Sequence, residues 1–455
     1  MGTPRSVDID DFIDNLKFGP FHFLVLGLCA LLMMIDGYEL YVVGWVLPNI
    51  ADDFHATRLQ LTPILVGQQI GMVAGAYLVT PLADKLGRPK VLLIAFAGIA
   101  ASCFASIFMP NITDLVISRT IGGFFASSVV PILLSSVSEN APKRLRATFS
   151  TVMVTGQLGG AIIGALMQAF LLVQYGWRSA FWVGALMPVL MLPLIWLFLP
   201  DSLRFVYSKN SNDARIPGLI KRMQGRGAEE IVLTAPTAAA EEKKAAQLAT
   251  GFVRGLFGEG RAWRTIFLWL AFMSSFTYIS AGNWKTTIFR DILNMPMQQI
   301  ALATALGTGF GILGNIGIGV AIDRWGFRRV LPTAFFIAAV SIVIMGALAS
   351  HLVLFFVFLV IMNIFQHGGQ AGLAALASNL YPAHQRATGV GWAYGAGRIA
   401  SIFAPILGAM ALGAHLDTVG FFLLFAIPLT TAGVFVLLST SATPEPIKRV
   451  APAHA

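Results

Sequence analysis

Twelve apolar runs, each of roughly 20 residues, leave this chain little choice of architecture. They centre near Leu32, Gly71, Gly98, Phe125, Gly160 and Val189, then near Met273, Gly311, Ala338, Asn363, Phe403 and Ile427. At about 1.5 Å per residue, a helix of that length covers a hydrocarbon core ~30 Å thick. In lipid every backbone polar group must be bonded internally, so the runs are expected to be membrane-spanning helices. Composition agrees: 12% of the residues are charged and 56% hydrophobic, with a mean hydropathy of +0.74. A soluble domain carries about 25% charged residues. A water-soluble protein with one buried core is excluded.

The longest polar interruption runs from Asp201 to Arg261 and includes Lys209, Arg215, Lys221, Arg222, Lys243 and Lys244. It divides the spans into two groups of six. The expected organisation is an N-terminal segment (1–20), a six-helix bundle (21–200), a linker (201–262), a second bundle (263–440) and a tail (441–455). Lys and Arg crowd the linker and the loops around Gly87, Arg144 and Arg328, while Arg58, Arg178, Lys285 and Arg290 are assigned to loops on the other side. Basic residues mark the cytoplasmic face, so both termini are expected to be cytoplasmic. The net charge of +9 is thereby a topology signal, and no nucleic-acid partner is expected. The acidic start, SVDIDDFIDNLKFGPFHF, lacks the basic region of a cleavable signal, so the first run should remain as a helix. Cys29 and Cys103 lie in apolar runs and form no metal-ligand pattern.

Two loops repeat. ADKLGRPK, with Asp84 and Gly87, returns as IDRWGFRR, with Asp323 and Gly326, at an offset of 239 residues. SENAPKRLRAT, with Arg146, returns as SNLYPAHQRAT, with Arg386, at an offset of 240. A shared offset implies two six-helix bundles related by an axis along the membrane normal, with a substrate site near the midplane between them. The first loop resembles the signature of the major facilitator superfamily, and Arg119 in ISRTIGG matches that family's arginine in the fourth span. DGYELYVVGWVLP, GGQAGLAALASNLYP and RATGVGWAYGAGRIASIFAP resemble its aromatic acid:proton symporters, the permeases for benzoate and 4-hydroxybenzoate. The family's first span usually carries Asp-Gly-Tyr/Phe-Asp, and here the second acid is Glu39.

A charge at mid-membrane costs about 2.5–3.5 kcal/mol on insertion scales. Asp36, Glu39, Arg119 and Arg398 bear that cost. Asp36 and Glu39, three residues apart, share a helical face and are expected to look into the central cavity. They are candidates for proton coupling, because a carboxylate that alternates between a low-dielectric site and a cationic neighbour can bind and release a proton. The alternative is an ion pair that locks helices. Arg398 is the expected anchor for an anionic substrate, since a guanidinium meets a carboxylate in bidentate geometry; the alternative is a bridge between the halves. Arg119 divides between substrate contact and a structural or proton-linked role. Tyr394, one turn before Arg398, and Tyr38 are candidates for stacking a ring, or for plain helix packing. Asn363, His367 and Gln370 fall at i, i+4 and i+7 on one stripe, with Gln366 adjacent. They are suited to hydrogen-bonding ring substituents, or to bonding between helices.

Asp84, Arg88, Glu139, Arg146, Asp323, Arg328 and Arg386 sit at the inside helix ends, where they are expected to close the cytoplasmic side or simply to anchor it. GQLGGAIIGA and FAPILGA provide small residues for close helix approach. Seven scattered histidines and no H-E-x-x-H argue against an enzyme, and no cofactor is expected. The function expected is proton-coupled import of an aromatic carboxylate across a bacterial inner membrane by a protein acting as a monomer, with the proton, the organic anion and the lipid bilayer as its partners. The alternative is carriage of muconate or another dicarboxylate.

Overall fold

The computed structural model describes residues 5–16, 18–80, 82–142, 145–224, 231–234, 254–258, 260–381, 386–414 and 418–441. The expected tail beyond Ser441 lies outside them. Among the described residues, twelve helices are long and apolar enough to cross a membrane. In chain order they are Pro20–Asp53, Arg58–Leu78, Arg88–Ile107, Ile112–Asn140, Thr148–Tyr175 and Arg178–Phe198, then Ala262–Asp291, Met297–Trp325, Phe327–Ala347, Leu352–Leu380, Gly389–Gly413 and Thr418–Ser441. They are called the first to twelfth spans below. The protein is a multi-pass membrane protein of the all-α twelve-helix class.

The packing repeats as the loops do. In the first group the first span packs on the fifth, the second on the fourth and the third on the sixth; in the second group the seventh packs on the eleventh, the eighth on the tenth and the ninth on the twelfth. The groups meet where the second span touches the eleventh and the fifth touches the eighth, again a symmetric set. Gly87 and Gly326, the glycines of the repeated loop, have φ of 96° and 78°. Those values belong to the left-handed region where a β-carbon is strained, so both loops need glycine there. Close approach of the first and fifth spans also depends on glycine. A β-carbon on Gly37 would strike the Gln157 carbonyl, and one on Gly160 would strike the Met34 carbonyl.

The sequence pattern announced neither a two-stranded sheet nor a break in the seventh span. The N-terminal strand β1 (Arg5–Asp8) pairs in parallel with β2 (Ile231–Thr234) from the linker. Ile9, Phe12, Ile13, Phe205, Ile220 and Leu233 bury a second small core there. The N-terminal segment and the linker thus fold together on the rim that carries the chain start. The seventh span is broken: an α-helix ends at Ala281, a 3-10 turn covers Gly282–Trp284, and a new helix runs Lys285–Asp291. Trp284 Nε1 donates to the Pro405 carbonyl at 3.0 Å and Ser280 Oγ to the Ser401 carbonyl at 3.0 Å, pinning the break to the eleventh span.

Candidate functional site

The two acids of the first span part company. Glu39 turns into the first bundle, where Arg119 Nη1 donates to its Oε1 at 2.8 Å and Cys103 Sγ donates to its Oε2 at 3.2 Å. Arg119 Nη2 also donates to Ser102 Oγ at 2.6 Å, and the guanidinium lies over the Phe181 ring, 4.9 Å from its centroid. Glu39 is 1% exposed and Arg119 0%. The expectation that both acids face the central cavity therefore fails: Glu39 is sealed in the first bundle, and Asp36 is 3% exposed and absent from the wall of the cavity described below. The first span is apolar and buried around most of its circumference, so the polar partner each acid meets, Arg119 for Glu39 and Gln157 for Asp36, and not a polar face of the span, decides where it turns. Asp36 turns to the fifth span and accepts from Gln157 Nε2 at 2.8 Å. Arg398 lies half-buried within electrostatic reach of Asp36 and Tyr394. Tyr394 packs against Phe272 and Phe276, with centroids 5.0 and 5.7 Å away.

A separate cavity opens between the two groups of helices. Tyr41 and Trp45 of the first span, Tyr278 of the seventh, and Asn363, Gln366 and His367 of the tenth are in its wall, together with Lys285 and Asn283. Two residues of the expected polar stripe, Asn363 and His367, and the adjacent Gln366 are thus brought together. Gln370, one turn on, instead accepts a hydrogen bond from Ser275 Oγ of the seventh span. Tyr38 is not in the wall either: it is 1% exposed and its hydroxyl donates to the Ala180 carbonyl at 2.7 Å. Neither Arg398 nor Tyr394 is in the wall. Lys285, assigned from sequence to an outside loop, is in it, because Ile288 and Phe289 continue the seventh span past the break. Those two apolar residues were the available signal.

At the rim carrying the repeated loops, Arg88 pairs with Glu139 at 2.6 Å and lies over the Phe205 ring. Arg146 pairs with Asp14 of the N-terminal segment rather than with another loop of the rim. Asp323 and Arg328 have exposed side chains. The side chains of Asp84 and Arg386 lie outside the described residues. The described ion pairs that cross between the halves are on the opposite rim: Arg58 with Asp291, and Arg290 with Asp52 at 2.6 Å. Sequence reasoning put Arg58 and Arg290 in loops of that side without a pairing role and missed Asp52 and Asp291; none of the four stands in a repeat. Among the described residues no cluster of His, Cys, Asp and Glu is suited to a metal.

The model of the Major Facilitator Superfamily matches residues 29–297 and 267–455. The chain is 31% identical to a gallate transporter of Pseudomonas putida, over 95% of this chain and 94% of that one. It is 27% identical to a 4-hydroxybenzoate transporter of Acinetobacter baylyi, over 96% and 94%. Among solved structures, the partially occluded inward open xylose transporter of E. coli superposes with a TM-score of 0.72 over 92% of this chain and 97% of that one, at 16% identity.

Proposed function

Because the chain belongs to the Major Facilitator Superfamily, and within it to the aromatic acid permeases, we propose that it imports an aromatic carboxylate of the benzoate or hydroxybenzoate type together with a proton. The observation that carries this reading is the cavity between the halves. Tyr41, Trp45 and Tyr278 give it flat aromatic walls, and Asn363, Gln366 and His367 line a polar edge. Such walls suit a ring, and a polar edge suits its substituents. A linear dicarboxylate wants two cations, whereas Lys285 is the one Lys or Arg among the described residues of the wall. That disfavours muconate and its kind.

Asp36 is the proposed site of the coupled proton. It is 3% exposed, accepts from a neutral amide, and feels Arg398 across the interface of the halves. Rearrangement of the halves changes that neighbour, and so changes the proton affinity. Glu39, already neutralised by Arg119, is not the proposed proton site, although the sequence made it a candidate. The proposed orientation puts both termini in the cytoplasm of a bacterial cell, with the Arg58–Asp291 and Arg290–Asp52 pairs on the outside. The proposed functional unit is the monomer. The test is uptake of labelled 4-hydroxybenzoate into proteoliposomes. Saturable accumulation that collapses when the pH gradient is dissipated is expected. Uptake indifferent to the gradient would reject proton coupling, and competition by succinate but by no ring acid would reject the substrate class.

A further inference from the structure

We infer that Lys285, rather than Arg398, holds the substrate carboxylate, and that Asn283 Oδ1 accepts a hydrogen bond from a hydroxyl on the ring. This deepens the reading above and rests on its assignment of an aromatic carboxylate. Lys285 begins the helix beyond the break in the seventh span, half-buried in the cavity wall beside His367. Among the described residues Lys285 meets the Phe289 ring, with Nζ 5.9 Å from the centroid, at the outer limit of a cation–π interaction. Among the described residues of that wall there is no acid. A cation kept in a low-dielectric wall without a counter-charge is costly, and an anionic ligand removes the cost.

Asn283 supplies the second, independent mark. It is 5% exposed and lines the same cavity. Its Nδ2 donates to the Ser280 carbonyl at 3.1 Å, while its Oδ1 has no hydrogen-bond partner among the described residues. A buried acceptor left unpaired calls for a donor. A carboxylate has none to give, but a phenolic hydroxyl has. The 3-10 turn at Gly282–Trp284 is what lets Asn283 and Lys285 both border one cavity. Arg398 is differently occupied: it stands outside this wall, near Asp36 and Tyr394.

The test uses the full-length protein in detergent and in proteoliposomes, with benzoate, 4-hydroxybenzoate, the neutral amide benzamide, and muconate as probes. Lys285→Gln should raise the Kd for 4-hydroxybenzoate roughly 10- to 100-fold, the range of a lost charge-assisted hydrogen bond. Its affinity for benzamide should not change. Lys285→Arg keeps the charge and should stay within about tenfold of the native protein, which separates loss of the anchor from loss of the fold. Asn283→Ala should erase most of the preference for 4-hydroxybenzoate over benzoate, about tenfold. If Lys285→Gln binds 4-hydroxybenzoate within about threefold of native while Arg398→Gln loses it, the anchor is Arg398 and the inference is overturned. If the native protein binds muconate and no ring acid, yet loses muconate on Lys285→Gln, the anchor stands and the substrate class falls.

Discussion

Removing the Glu39 side chain should destabilise the first bundle, and removing Arg119 as well should restore much of the loss. In the native protein the 2.8 Å pair between Arg119 and Glu39 is 0% and 1% exposed. Glu39→Ala leaves a guanidinium sealed among Ser102, Cys103 and the Phe181 ring with no counter-charge. Stripping one partner from a buried pair costs about 3–5 kcal/mol. For a unit the size of this bundle each kcal/mol moves the melting temperature by roughly 2–4 °C, so a fall on the order of 10 °C is expected. Arg119→Leu in the Glu39→Ala background removes the stranded charge and should recover at least about half of that fall, because an apolar replacement of a buried pair is often neutral. The measurement is a double-mutant cycle read by intrinsic fluorescence during thermal unfolding in detergent. If Glu39→Ala melts within about 2 °C of the native protein, or the double variant melts no higher than Glu39→Ala, the pair is not the lock described.

Asp36→Asn keeps an acceptor for Gln157 but cannot exchange a proton, so accumulation driven by a one-unit pH gradient should vanish from its ceiling of about tenfold while counterflow persists; native accumulation in the variant contradicts the assignment. Gly160→Leu should abolish a monodisperse peak in size-exclusion chromatography, since its β-carbon falls on the Met34 carbonyl, and a native profile would show that the first and fifth spans can separate. Asp52→Asn combined with Asp291→Asn removes both described cross-half pairs of the opposite rim. Exposed pairs contribute only up to about 1 kcal/mol each, so the variant should fold but widen its spin-label distance distribution across that rim; an unchanged distribution would deny them a gating role.

The spans were legible because a bilayer imposes a length, and a run of apolar residues states that length directly. The twofold relation was legible because the two repeated loops require the same residues, down to a glycine at positive φ in each. Azimuth was not legible. The first span is buried around most of its surface, so nothing in LLMMIDGYELYVVGW says that Tyr41 and Trp45 face the cavity while Tyr38 faces the sixth span. The tenth span was easier, because Asn363, Gln366 and His367 are polar against an apolar background and the wall took all three. Lys285 was lost to a loop because a lysine after a full-length apolar run reads as an end, and the two apolar residues beyond it, Ile288 and Phe289, are too short a stretch to outweigh that. Pairing of β1 with β2 joins residues more than 220 positions apart (Arg5 to Ile231), beyond any local pattern.

On the proposed reading, the first span serves as the common axis of coupling. Asp36 and Tyr41 are five residues apart, so the proton site and the ring site are separated by about 7.5 Å of helix rise. They need not touch to be linked, because the same two halves must close over both. Counting the charges at the closing interface gives the linkage its sign. With neither ligand bound, Asp36 offsets Arg398 and Lys285 is the single excess cation. With proton and carboxylate both bound, Arg398 is the excess cation and Lys285 is offset, so the sum is unchanged. With the proton alone, both cations stand uncompensated in a low-dielectric seam, which is the costliest state to seal. A proton leak without substrate is thereby opposed by electrostatics, without any further gate. The Glu39–Arg119 pair adds nothing to the sum, which is why its removal should be felt in stability before it is felt in the charge balance of the cycle.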